Sequence, residues 1–242
     1  MQNELTSNEL MKNDITSDGL SPDEVSADKT SEMVAKSGAK AKKISRGSIS
    51  SVRFIAVTGI LSAAAFVLQL IELPVPLIMP AFIKFDFSDL PALMGSFALG
   101  PVCGILIELI KNLFHTMVSG SFGVGELSNF ILGAVFVGVA GTIYRYKKNK
   151  KGAIIGSLAG AIAMALISYP SNLFIVYPVY YNFMPKATII AAYKAIIPGM
   201  KSIEMSLLCF NVPFTLVKGL IDVIITFLLY KHLSPIIKGS RG

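Results

Sequence analysis

The chain has 242 residues, of which 53% are apolar and only 15% charged; its formal charge is +7 and its mean hydropathy +0.64. An ordinary soluble domain carries roughly 25% charged residues, so a water-facing surface built from this composition would run short of ions. A soluble enzyme and a free nucleic-acid binder are both poor fits, and a lipid bilayer is the medium that suits the chain.

The charge is unevenly spread. The first 50 residues hold eight acids and seven bases, whereas the rest hold 15 bases and seven acids. Residues 1–48 are polar, rich in Ser, Asp, Glu, Lys and Thr, and lack the apolar surface that would offset the entropy of ordering them; a disordered cytoplasmic leader is expected. The leader has no signal-peptide order of basic, apolar and small residues. It ends in Lys36, Lys40, Lys42, Lys43 and Arg46, with Arg53 just beyond, which places the amino terminus in the cytoplasm by the positive-inside bias.

From there a membrane domain over 49–238 is expected, with six helices at about 54–73, 88–99, 102–118, 126–144, 153–176 and 205–230. Pro74 and Pro76 stop the first. The apolar run from Leu90 to Val118 is too long for one upright span, and Gly100-Pro101 divides it. The short second helix takes Ser88 or Asp89 as its cap, with Pro91 in the first turn. SGSFGVG at 119–125 is a flexible break. Arg145, Lys147, Lys148, Lys150 and Lys151 form a cytoplasmic anchor rather than a phosphate or nucleic-acid site. A connection over 177–201 carries an apolar patch that lies on or dips into the interface. Six spans put both termini and all the basic clusters on the cytoplasmic side.

Several residues inside these runs are costly in hydrocarbon unless they face protein or water. Glu108 and Lys111 are three apart and Lys218 and Asp222 four apart, so each pair can share a helix face. Asn211, Thr215 and Lys218 advance by four and three and draw one polar stripe down an apolar helix. Asn129 and Asn172 are further amides that need partners. Cys103 and Cys209 read as small buried hydrophobes. His115 and His232 lie too far apart for one site, so no metal centre is expected. Gly59 and Ala63, and Gly152, Gly156 and Gly160, are small-residue faces for close helix contact. No nucleophile–base set, Walker motif or zinc-protease motif occurs.

The run from Lys84 to Asn112 carries KFDFSDLP, the GSFALGP turn and IELIKN, and is followed by GELSNFILG, SNLFIVYPVY and PFTLVKG. Over about residues 52–235 the chain resembles the riboflavin-specific substrate-binding subunit (S component) of energy-coupling factor (ECF) vitamin transporters. The resemblance implies an all-α integral membrane protein, a six-transmembrane-helix bundle of the S-component type with both termini cytoplasmic. It is no enzyme; it binds riboflavin from outside and works with a transmembrane coupling subunit and two cytoplasmic ATPases. The resemblance further implies that Gly59 and Ala63 dock on the coupling subunit. The loop from about Leu73 to Phe87 closes the pocket, and Asn172, Thr215 and Lys218 hold the vitamin.

Chemically, a flat isoalloxazine ring needs an apolar slot, for which Leu77, Met79, Phe82 and Phe85 are candidates, and a few convergent polar groups. The family motif reads Pro-Phe-Asn where this chain has Pro213-Phe214-Thr215, so an amide donor is lost, and Asn211 one turn earlier is the candidate to replace it. Lys84 and Asp86 pair or cap, unless the phosphorylated flavin FMN is accepted too. The alternatives are an S component for pantothenate, folate or thiamine, and a non-transport membrane scaffold in which the intramembrane pairs only stabilise helices.

Overall fold

The structure is a computed structural model that describes residues 51–120 and 123–238, with the backbone alone for 229–238. The leader expected at 1–48, two residues of the SGSFGVG break and the His232 side chain lie outside what is described. One compact unit, Phe54–Gly242, holds the features below.

Helix α1 (Ser51–Gln69) ends ahead of a two-stranded antiparallel ribbon, β1 (Leu73–Pro74) with β2 (Lys84–Phe85), in which Leu73 faces Phe85 and Pro74 faces Lys84. Helix α2 (Asp89–Leu99) and helix α3 (Pro101–Thr116) are divided at Gly100, whose φ of 103° lies in a region that a side chain would strain. Helix α4 (Val124–Tyr146) and helix α5 (Lys150–Tyr180) form an antiparallel pair, and Asn149 caps α5 by accepting from the Gly152 amide at 2.7 Å. A short helix α6 (Lys186–Lys194) occupies the connection to α7 (203–238). Among the described residues α1, α4, α5 and α7 are long and apolar enough to cross a membrane, while α2 and α3 are shorter.

Burial is inverted relative to a soluble protein. Ile55, Ile60, Val67, Leu113, Ile162, Leu166, Ile224 and Leu228 are exposed, whereas Glu108, Lys111, Ser157, Ser168, Asp222 and Thr226 are sealed inside. Apolar side chains facing out and polar groups facing in is the arrangement lipid demands. Cys103 is buried beside Thr58, as its apolar surroundings suggested. Cys209 is not: it faces outward from α7, because the helix turns its polar stripe inward.

Helices α5 and α7 each contain a wide π turn, at Asn172–Val176 and Leu207–Asn211. Both have a cause in sequence. Pro178 and Pro213 stand two residues beyond these turns, and a proline ring collides with the carbonyl four residues back, which falls inside the turn in each case. Widening the turn relieves the collision and re-aims the side chains there.

The glycines of α5 work inside the bundle. A Cβ on Gly156 would stand 2.7 Å from the Ala140 carbonyl oxygen, and one on Gly160 would stand 2.6 Å from that of Phe136, so α4 and α5 meet backbone to backbone. On α1, by contrast, a Cβ on Gly59 would meet nothing within 4 Å. Gly160→Val is therefore expected to destabilise the bundle by roughly 1–3 kcal/mol, while Gly59→Val leaves it unchanged; thermal unfolding in detergent measures both.

Candidate functional site

The core divides into two apolar clusters, one around Leu93, Phe136, Val137 and Met164, the other around Met79, Val176, Tyr177, Tyr193 and Leu207. Where they meet lies a cavity of about 950 Å³ including its open mouth. Met164 comes from the first cluster and Val176 and Tyr177 from the second. Gln69 and Glu72 follow from the end of α1, Phe82, Ile83, Lys84 and Asp86 from the β2 loop, Ser128, Asn129 and Leu132 from α4, and Asn172 and Tyr180 from α5. Helix α7 adds Asn211, Phe214, Thr215 and Lys218.

The floor is a knot of charge. The Lys218 ammonium lies 3.1 Å from Asp86 Oδ2, 3.2 Å from Asp89 Oδ2 and 3.1 Å from Asn129 Oδ1. It donates hydrogen bonds to Asp86 and Asn129, while Asp89 Oδ2 is an ion-pair neighbour. Lys111 lies 2.5 Å from Asp89 Oδ1, 2.8 Å from Glu108 Oε2 and 2.7 Å from Ser88 Oγ. Ser88 bonds Asp86 with both its amide and its hydroxyl. Glu108 fits only because residue 133 is glycine: a Cβ there would come within 2.6 Å of the Glu108 Cδ. Burial pushes the Asp86 carboxyl up, but Lys218, Lys111 and the Ser88 bonds outweigh it and hold Asp86 well below its ordinary value of 3.8.

Lys218 turns to Asp86 in the loop before α2 and to Asp89 at its start, not to Asp222, with which its spacing lets it share a helix face. One expectation is corrected by this knot. Ser88 does not cap α2 with its side chain, since its hydroxyl is committed to Asp86 and Lys111.

Among the residues singled out from sequence, Asn172, Asn211, Thr215 and Lys218 all line the cavity. Neither the Thr215 hydroxyl nor the Asn211 Nδ2 has a hydrogen-bond partner among the described residues, so both are available to a ligand. Leu77, Met79 and Phe85 do not line it. Leu77 is 90% exposed on the loop, Met79 is consumed by core packing, and Phe85 packs edge-on against Phe87 at 5.0 Å and Phe214 at 6.3 Å. Only Phe82 of the expected aromatic slot remains. Alternation within an irregular loop gives no period from which the inward face can be read. Gly59 and Ala63 are exposed on α1.

Sequence reasoning missed Asp89, which belongs to the floor. Its signal was present: two carboxylates three residues apart in FDFSD, flanked by aromatics and followed by an apolar helix. At the rim, His115 Nδ1 lies 2.8 Å from Glu126 Oε1 and Nε2 lies 3.7 Å from Glu72 Oε1, with Lys84 bonded to Glu72. Among the described residues, Glu72, His115 and Glu126 are the group that could bring three ligand atoms onto a metal ion.

Fold and cavity together define an α-helical integral membrane protein built to receive a small ligand between its helices. Residues 53–230 match the family model described as "ECF transporter, substrate-specific component", and the chain belongs to that family. Riboflavin transporter RibU of Staphylococcus aureus (strain TCH60) is 36% identical over 179 residues, which span 74% of this chain and 88% of that protein. Riboflavin transporter FmnP of Bacillus subtilis (strain 168) is 30% identical over 196 residues, 79% of this chain and 97% of that one. A solved structure described as "Structure and mechanism of the S component of a bacterial ECF transporter" superposes with a TM-score of 0.61 at 32% identity and covers 78% of this chain and 99% of that one. The protein is thus a transporter component and not an enzyme.

Removing Lys218 strands two buried carboxylates. Lys218→Met is expected to cost roughly 3–5 kcal/mol in ligand-free protein, and adding Asp86→Asn to recover a good part of it. Because the Asp86 carboxyl is held below 3.8, its stabilisation is complete above that value and is lost only as pH falls further. Thermal unfolding should therefore show a wild-type advantage over Asp86→Asn that is flat from about pH 8 to about pH 5 and shrinks below about pH 4.

Proposed function

We propose that this chain is the high-affinity riboflavin-binding subunit of an ECF-type importer, mediating riboflavin uptake across the cell membrane. The observation that carries the reading is the cavity at the α4–α5–α7 junction, with free polar groups on Asn211 and Thr215, in a chain over 30% identical to a named riboflavin transporter. Phe82, Leu132, Met164 and Phe214 supply apolar walls for a flat ring. Asn172, Asn211 and Thr215 supply hydrogen-bonding groups for the ring edge and ribityl hydroxyls. Lys218 acts from the floor, where it holds Asp86 and Asp89 and so fixes the loop over the ligand.

In this reading six spans cross the membrane with both termini cytoplasmic, although α2 and α3 are short. The cavity opens outward beneath the 73–87 loop. A loaded subunit docks through the α1 face that carries Gly59 and Ala63 on a transmembrane coupling subunit, and two cytoplasmic ATPases energise release inward. The exposure of that small-residue face supports the docking. No bond of the vitamin changes. Specificity for pantothenate, folate or thiamine is less favoured, because the named relatives at 30–36% identity are riboflavin transporters. The same cavity disfavours a scaffold.

Titrating riboflavin into the purified protein should quench flavin fluorescence saturably. It should also raise the melting temperature, with stabilisation reaching about 2.7 kcal/mol at a hundredfold excess over Kd. Asn172→Leu should weaken binding about tenfold or more. Folded protein that binds another vitamin but no flavin would overturn the proposal.

A further inference from the structure

The polar groups facing the cavity are constrained in hydrogen-bonding sense by contacts behind them. Asn172 spends Nδ2 on the Ser168 carbonyl at 2.7 Å, and its Oδ1 is met only by Ser128 Oγ at 3.4 Å, so what it offers is an acceptor. Asn211 is the reverse. Its Oδ1 accepts from the Tyr193 hydroxyl at 2.7 Å, which leaves Nδ2 as a donor without a partner among the described residues.

The bond is one link of a chain. The Tyr177 and Tyr193 hydroxyls are 2.5 Å apart, and both rings are buried. A tyrosine hydroxyl has one proton, and that of Tyr193 goes to Asn211 Oδ1, so in the Tyr177–Tyr193 contact Tyr177 is the donor and Tyr193 the acceptor.

We propose that Tyr193, on α6 and not itself a cavity-lining residue, is a specificity-determining positioning residue. It locks Asn211 as a donor into the cavity, so that with Asn172 as acceptor the cavity selects a flat heterocycle whose edge presents both a carbonyl oxygen and an N–H. This rests on the riboflavin reading above, since the isoalloxazine ring carries such an edge. Helix α6, in a connection that sequence alone placed at the membrane interface, becomes part of the recognition apparatus by bracing the wall from behind.

The test compares Kd values of the full chain in detergent for riboflavin and for its 2-thio and 4-thio analogues, in which sulfur, a weaker acceptor, replaces each ring carbonyl oxygen in turn. Wild-type protein is expected to bind one analogue about tenfold more weakly than riboflavin. Tyr193→Phe should weaken riboflavin binding about tenfold and close the gap between riboflavin and that analogue. Asn211→Leu should do the same, and the double variant should lose no more than either alone, as for residues acting as one unit. A general loosening of the fold would lower all three affinities together and leave the discrimination standing, which would overturn the proposal. Wild-type affinity in Tyr193→Phe, or retained discrimination in Asn211→Leu, would overturn it equally, and the second variant serves if the first does not fold. Wild-type protein that binds no flavin would overturn this proposal and the riboflavin reading together, whereas flavin binding with unaltered discrimination in the variants overturns only the role of Tyr193.

Discussion

Two lysine ammoniums buried in a protein that faces lipid are the constraint around which the rest is arranged. Lys111 and Lys218 carry charge where hydrocarbon cannot accept it, and the carboxylates that answer them are Asp86 from the loop before α2, Asp89 from the start of α2, and Glu108, which shares α3 with Lys111. Breaking any one partner leaves the others uncompensated, a larger penalty than the net gain of forming the pair. The short α2 therefore cannot drift from α3 and α7, and the loop that precedes it is held at Asp86. A single electrostatic knot ties the helix bundle to the loop above the cavity.

Around this knot the backbone is shaped by proline and glycine rather than by side-chain bulk. Pro178 and Pro213 force wide turns into α5 and α7 at equivalent points, and each turn carries an asparagine to the cavity wall. Gly156 and Gly160 let α4 and α5 approach until backbone touches side-chain-free backbone. Without water to drive apolar surfaces together, such close contact is a principal source of association between helices in lipid. Rigid walls of this kind are suited to presenting hydrogen-bonding groups at fixed angles. The Tyr177–Tyr193–Asn211 chain extends that rigidity from the wall to the amide itself.

The two faces of α1 show how one helix divides its duties. Its inner side meets α3 through polar pairs, Thr58 with Cys103 and Gln69 with Asn112 at 2.9 Å. The outer side leaves Gly59, Ile60, Ala63 and Val67 uncovered. A face of small residues beside apolar ones suits both lipid and a second membrane protein. That is what a subunit needs if it is to bind its ligand alone and be energised by others.

Hydropathy and charge in the sequence alone determine that the chain lives in a membrane, that Gly100-Pro101 parts α2 from α3, and that Asn211, Thr215 and Lys218 share a stripe. All these follow from local periodicity and from residues that restrict the backbone, so they need no knowledge of distant parts. Its motifs likewise pointed to the family. Only the tertiary structure decided which partners the charges take. Helical spacing shows that Lys218 and Asp222 can share a face of one helix and says nothing of a carboxylate 132 positions away in sequence. Nor could spacing reveal that Leu77, Met79 and Phe85 do not line the cavity, or that Tyr193 bonds Asn211, since an irregular loop and a cross-helix hydrogen bond have no period to read. Contacts of this kind exist only once the chain has closed on itself.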